Sequence, residues 1–130
     1  MVLENPKEIL DKIKYSISKD NYQIENNKNR KDNYNFKRKD ELGDKELKTI
    51  LLGITEDDYY ETVNNYKKGY EHERLHIFAP TINIEYSEEE INKVQLYIKF
   101  NIVKIKEKTD YVIVISLHEA KKPIKCKSSL

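Results

Sequence analysis

A single cysteine, Cys126, stands in a chain of 130 residues. No intramolecular disulfide can form, and a structural zinc site built on several cysteines is excluded. Glycine occurs only three times, which leaves little from which to build a phosphate-cradling loop. Neither a Walker loop, a Rossmann glycine pattern nor His-Glu-x-x-His occurs. No run approaches about 18 uncharged apolar residues, so no bilayer-spanning helix is expected. The opening Met1-Val2-Leu3-Glu4-Asn5 lacks the apolar stretch of a secretion signal, and the expected location is cytoplasmic. An excess of one charge is missing too. With 24 Lys+Arg against 23 Asp+Glu, the chain is neither a histone-like basic protein nor an acidic disordered tail. What is present is 38% hydrophobic residues and ten tyrosines, enough for a modest core in one domain, 1–130. The many Lys, Asn and Ile match an AT-rich bacterial or phage genome.

The patterning changes once along the chain. Asn5 as cap, Pro6 at the first helical position and an apolar stripe of Ile9, Leu10, Ile13 and Ile17 predict a helix from Pro6 to about Ser18. Tyr22-Gln23-Ile24 suits an edge strand. Residues 26–40 are expected to form a basic loop or weak helix, since Asn26 to Lys39 holds six basic residues and one acid without a clear period. Leu47, Ile50 and Leu51 share a helical face, with Asp44 as the expected cap and Gly53 as the stop. Thr55, with Asp58 three residues on, is expected to open a further helix carrying Tyr59, Tyr60, Val63 and Tyr66, broken at Gly69. From Leu75 the period becomes extended: Leu75–Phe78, Thr81–Tyr86, Val94–Ile105 and Tyr111–His118 read as strands. The last two predict an antiparallel hairpin across Lys106–Asp110, and the basic tail 121–130 is expected to fray. Helices first and a strand meander after predict an α+β fold, an antiparallel sheet from the C-terminal half packed with N-terminal helices.

If Ile105 pairs with Asp110 in that hairpin, Tyr97 faces His118 and Lys99 faces Ser116, all on one side of the sheet. Leu96, Ile98, Phe100 and Ile102 then point to the other side, with Val112 and Val114 on the first. Such a group suits RNA cleavage, where the 2′-hydroxyl is the nucleophile and no metal or cofactor is required. A histidine, with a reference pKa near ~6.5, moves protons at neutral pH. Lys99 would neutralise phosphate charge, and Tyr97 would donate a hydrogen bond or proton. The competing reading is structural: a strand-end histidine beside a solvated Tyr and Lys face. His72 and His76 have i, i+4 spacing, but that spacing gathers a metal only on a helix, and His76 falls in an expected strand.

Four segments carry a family resemblance. Ile50-Leu51-Leu52-Gly53-Ile54-Thr55-Glu56-Asp57-Asp58-Tyr59-Tyr60 resembles the helix–Gly–Leu/Ile–Ser/Thr–acid–acid–aromatic pattern of the MqsR family of bacterial toxins. Leu75-His76-Ile77-Phe78 is similar to its Trp-Val-Phe strand, with His76 in place of Trp. Leu96-Tyr97-Ile98-Lys99-Phe100 resembles its Val-Tyr-Ile-Lys strand. Val114-Ile115-Ser116-Leu117-His118-Glu119-Ala120, followed by Pro123, is similar to its Ile-Ser-Phe-His-x-Ala…Pro ending. The pieces keep family order across residues 7–123. The resemblance implies the toxin of a type II toxin–antitoxin system with a RelE-like fold. It implies a metal-independent mRNA interferase, neutralised by a cognate antitoxin. Tyr97 matches an active-site tyrosine, and His118 takes the place of a strand-end His or Lys. Glu61 departs from the family, standing where a functional lysine is found, and Glu73 falls near a functional glutamine. The segment Ile82–Lys93 has no counterpart.

Lys28, Arg30, Lys31, Lys37, Arg38 and Lys39, interleaved with Tyr34 and Phe36, offer phosphate contacts and stacking surfaces suited to single-stranded RNA. The alternative for this stretch is a solvated Lys/Asn-rich loop. Ser116 joins these as an expected RNA contact, and His118, Tyr97 and Lys99 are the expected catalytic residues. Two readings from other classes compete. One is a non-catalytic phage or plasmid protein that blocks a host factor on the same fold, and the other a plain protein-interaction module.

Overall fold

Asn5 sets the first helix. In this computed structural model, which describes residues 5–25, 43–87, 90–106 and 109–126, the Asn5 side-chain oxygen accepts from the amides of Lys7 (3.0 Å) and Glu8 (3.3 Å). Those amides have no partner within the helix. Pro6 fits the first helical position because its missing N–H would be unused there. Helix α1 runs Pro6–Ser18 and buries Ile9, Leu10, Ile13, Ser16 and Ile17. It ends at a turn in which Asp20 takes a left-handed φ of 60°, a conformation that Asp tolerates better than most residues. Strand β1 (Tyr22–Ile24) follows. The basic stretch expected over 26–40 lies outside the described residues.

Helix α2 (Asp44–Leu52) buries Leu47 and Leu51. Its cap is Gly43 rather than Asp44, and no side chain caps it. Asp44 instead occupies the first turn beside Glu46, where negative charge complements the helix dipole. Gly53 ends the helix as expected. Thr55 and Asp58 do form a reciprocal capping box, with the Thr55 amide donating to the Asp58 carboxylate at 2.8 Å. The helix expected beyond it does not form. A single 3-10 turn, Glu56–Asp58, gives way to strand β2 (Tyr59–Asn64). Aromatic and β-branched residues favour extended backbone, and β2 pairs antiparallel with β3 (Arg74–Phe78). Tyr59 thus packs across strands, not along a helix, and Tyr66 lies beyond β2, exposed. Tyr59 meets Phe78 edge-to-face at 5.5 Å, and Phe78 meets Phe100 at 5.9 Å. Gly69, at φ +91° in the β2–β3 connection, supplies a left-handed position that a side chain would strain.

The remaining strands are β4 (Thr81–Ser87), β5 (Glu90–Lys106) and β6 (Thr109–Glu119). Spatial order is β1-β6-β5-β3-β2, with β4 paired to β5 off this path. The described residues of the Ile82–Lys93 segment, 82–87 and 90–93, accordingly lie within β4 and the first half of β5, which pair from Thr81–Gln95 to Ser87–Glu90. The sheet is mixed rather than purely antiparallel, because β1 runs parallel to β6. The class is α+β, with N-terminal helices packed on one sheet face. Ile13 and Ile17 of α1, with Leu47 and Leu51 of α2, join Leu96, Ile98, Phe100, Val112, Val114 and Leu117 in one core. Among the described residues no helix is long and apolar enough to cross a membrane.

The β5–β6 register holds near one end and shifts at the other. Tyr97 pairs with His118 and Lys99 with Ser116, as expected, but Phe100 pairs with Val114. Ile115 is therefore an extra residue, a β-bulge. Beyond it Asp110 faces Lys104, not Ile105, and their side chains form an ion pair at 2.8 Å. The bulge reverses the facing of the far half of β6. Val112 and Val114, expected on the Tyr97 side, are fully buried in the helix-covered core.

Candidate functional site

Side chains alternate along β5, so burying Leu96, Ile98 and Phe100 beneath the helices turns Tyr97 and Lys99 to the opposite face. Direct pairing carries that face across the sheet. Glu61, Ile77, Lys99 and Ser116 form one cross-strand row, and Tyr97 and His118 the next. The Tyr97 and His118 rings stack with centroids 5.2 Å apart and planes 17° from parallel. The Lys99 ammonium sits 5.7 Å from the centre of the Tyr97 ring, within cation–π range. Three of the expected residues are thus brought together. Ser116 shares the face but is only 8% exposed.

The protonation of the pair follows from its surroundings. His118 Nδ1 lies 2.8 Å from the carbonyl oxygen of Glu119. A carbonyl only accepts, so Nδ1 carries the hydrogen and a neutral ring is left with Nε2 as its basic nitrogen. Burial pushes the Tyr97 hydroxyl above its ordinary pKa, and the negative charge of Glu61, with Tyr60, pushes it the same way. Tyr97 therefore stays protonated through neutral pH and serves as a donor. Glu61 is part of the electrostatic environment of the site, in the position where the resemblance implies a lysine.

A cleft of about 650 Å3 opens against these rings, lined by Tyr60, Tyr97, His118 and the chain after β6 from Lys121 to Lys125. That segment belongs to the tail 121–130 expected to fray, of which 127–130 lie outside the described residues. Instead residues 121–126 are fastened to the sheet. Gln95 Nε2 donates to the Ile124 carbonyl at 2.8 Å, while its Oε1 accepts from the Ile124 amide at 2.8 Å. The Ala120 amide donates to the Gln95 carbonyl at 2.8 Å. Cys126 is buried, its sulfur 3.3 Å from the Asp58 carbonyl oxygen and 3.6 Å from that of Ala79. Burial, then the Asp58 charge, raises its thiol pKa against the opposing pull of the Ala79 bond. This cysteine is an anchor rather than a nucleophile. The lysines of this segment, together with Tyr60, are the site residues that sequence reasoning missed. Their signal was Ile124 and Cys126, apolar residues set within an otherwise basic tail.

The other histidines lie elsewhere. His76 is on the core side of β3, buried, with Nδ1 2.9 Å from the Thr62 hydroxyl, which in turn lies 2.7 Å from the Tyr59 hydroxyl. His72 precedes β3, so the two are not held at helical spacing. Among the described residues no three His, Cys, Asp or Glu side chains gather as a metal site. The basic residues Lys28, Arg30, Lys31, Lys37, Arg38 and Lys39 lie outside the described residues.

Fold and site together define an α+β protein with helices on one face of a mixed sheet and a Tyr–His–Lys cluster on the other. The chain matches no protein-family model and no curated protein.

Proposed function

We propose that this chain is a metal-independent endoribonuclease that cleaves single-stranded RNA, the toxin of a type II toxin–antitoxin pair similar to the MqsR family. The observation that carries the reading is the Tyr97–His118 stack beside Lys99, facing a cleft walled by lysines. In the proposed reaction the 2′-oxygen bonds to the adjacent phosphorus as the bond from phosphorus to the 5′-oxygen breaks. His118 takes the 2′-hydroxyl proton at Nε2, the ring position left basic by the Glu119 carbonyl. Tyr97, held protonated by burial and by the Glu61 charge, donates toward the departing 5′-oxygen. Lys99 balances charge on the phosphorane. The products are a 2′,3′-cyclic phosphate and a 5′-hydroxyl, with no co-reactant consumed. Its partners in this reading are single-stranded RNA and a cognate antitoxin, and its location is the cytoplasm.

The test is incubation of purified protein with single-stranded RNA in the presence of a chelator. Cleavage leaving a 2′,3′-cyclic phosphate or its 3′-phosphate product is expected. Activity that disappears with chelator and returns with Mg²⁺ would overturn the mechanism. One observation favours a second reading, a non-catalytic binding or inhibitor protein: Glu61 sets a negative charge near Tyr97, where a phosphate would have to approach. Intact RNA and uninhibited growth would move the conclusion to that reading.

A further inference from the structure

Beyond Tyr60, Tyr97 and His118, the cleft has a second wall that is not part of the sheet. Lys121, Lys122 and Lys125 all line it, and all three are exposed. Three lysines within five residues concentrate positive potential along one wall of the cleft, and such a potential attracts anions. A segment free to fray would separate them. Here it is tied at four points: Ala120 to the Gln95 backbone, Ile124 twice to the Gln95 side chain, and Cys126 into the core beside Asp58 and Ala79. No carboxylate is among the described residues lining the cleft. Aromatic rings occupy its other side, where Tyr60 flanks the Tyr97–His118 stack. Cations on a tethered backbone beside aromatic rings suit a single-stranded nucleic acid, whose phosphates need charge and whose bases need flat surfaces.

We propose that the strap 120–126 is the phosphate-binding wall of the cleft. Lys121, Lys122 and Lys125 hold phosphodiesters of single-stranded RNA beside the scissile one, and Gln95 is the residue that positions them. This rests on the RNA reading of the cleft but does not require cleavage. It also moves an RNA contact surface onto residues next to the reacting groups, separate from the 26–40 stretch.

The test uses the full chain and a labelled, short 2′-O-methyl RNA oligonucleotide, which cannot be cleaved because its attacking hydroxyl is capped. Binding is measured as a function of salt. Each lysine–phosphate contact contributes about 0.7 to the log–log slope for a single strand. The Lys121→Ala/Lys122→Ala/Lys125→Ala variant should therefore lose about 2 from that slope. Single Lys122→Ala and Lys125→Ala variants, each losing about 0.7, keep the test decisive if the triple variant does not fold. Lys45→Ala, on α2 over the other sheet face, should change nothing. Gln95→Ala keeps every charge yet should weaken binding by up to about tenfold, the scale of one or two lost hydrogen bonds. It should also speed hydrogen exchange at the Ile124 amide. A slope unchanged in the lysine variants overturns the strap proposal even if the protein cleaves RNA. So does failure of the wild-type chain to bind the oligonucleotide. A strap-dependent slope in a protein that leaves ordinary RNA intact upholds the strap and removes the ribonuclease reading.

Discussion

Tyr97 and His118 stack ring on ring at 5.2 Å because β5 and β6 pair them directly opposite each other. Both rings line the cleft, and the Glu119 carbonyl occupies Nδ1 of the imidazole. One ring thus offers a basic nitrogen and its neighbour a retained proton.

His118→Ala should lower the RNA cleavage rate by ~10²-fold or more, the loss expected for a general acid or base. Tyr97→Phe should also slow the reaction, since it removes the hydroxyl and keeps the ring. Affinity for RNA should survive both changes better than turnover does, because proton transfer matters mainly in the transition state. Single-turnover rates beside equilibrium binding separate the two effects, and the pH–rate profile should lose one limb in the His118 variant. A folded, fully active His118→Ala protein would leave the histidine as a strand-end residue only.

Glu61→Gln should improve RNA affinity by up to about fivefold, the scale of a partly exposed charge interaction of about 1 kcal/mol. It should also lower the Tyr97 pKa toward its ordinary value, since Glu61 is the second cause of the shift after burial. Binding titrations and a phenolate absorbance titration of the variant against wild type read these effects.

Stability should fall as pH rises through the tyrosine range. The folded state holds the Tyr97 proton more tightly than the unfolded chain does. At alkaline pH the unfolded state therefore binds fewer protons, and stability declines with pH. The contribution is intact below the ordinary tyrosine pKa and is lost as pH climbs through the raised one. Denaturant unfolding across this window should show a smaller decline in Tyr97→Phe than in wild type.

Ile13→Ala should destabilise the fold by about 2–5 kcal/mol, because it opens a cavity where α1 meets the sheet. Ile13 is fully buried in the core, whereas Tyr15 on the same helix is 67% exposed. Tyr15→Ala should stay within about 0.5 kcal/mol of wild type. Paired urea melts check both.

What could be read in the sequence was local. Asn5, Pro6 and the isoleucine stripe specify α1 without help from the rest of the chain. The alternation of Leu96 to Phe100 against Ser116 to His118 was enough to bring Tyr97 to His118. The misreadings occurred where distant partners decide. Tyr59, Tyr60, Val63 and Tyr66 fit a helical stripe until β3 offers Tyr59 the ring of Phe78 and a ladder to join. The basic tail looked free because Gln95, which fastens it, lies 29 residues away. Nothing in the local pattern around Gly43 or Asp44 distinguishes a cap from a first-turn residue, and the side chain of Asp44 makes no capping bond.

The bulge at Ile115 makes β6 a strand written in two phases. On one side of it, even-numbered residues Val112 and Val114 fill the core, and on the other, even-numbered Ser116 and His118 face outward. An alignment that carries one unbroken alternation through this strand therefore matches core to cleft at one end. Deleting Ile115, by contrast, would set Val114 beside Ser116 in one unbroken alternation, removing the bulge while the valines stay in the interior and the histidine stays on its tyrosine.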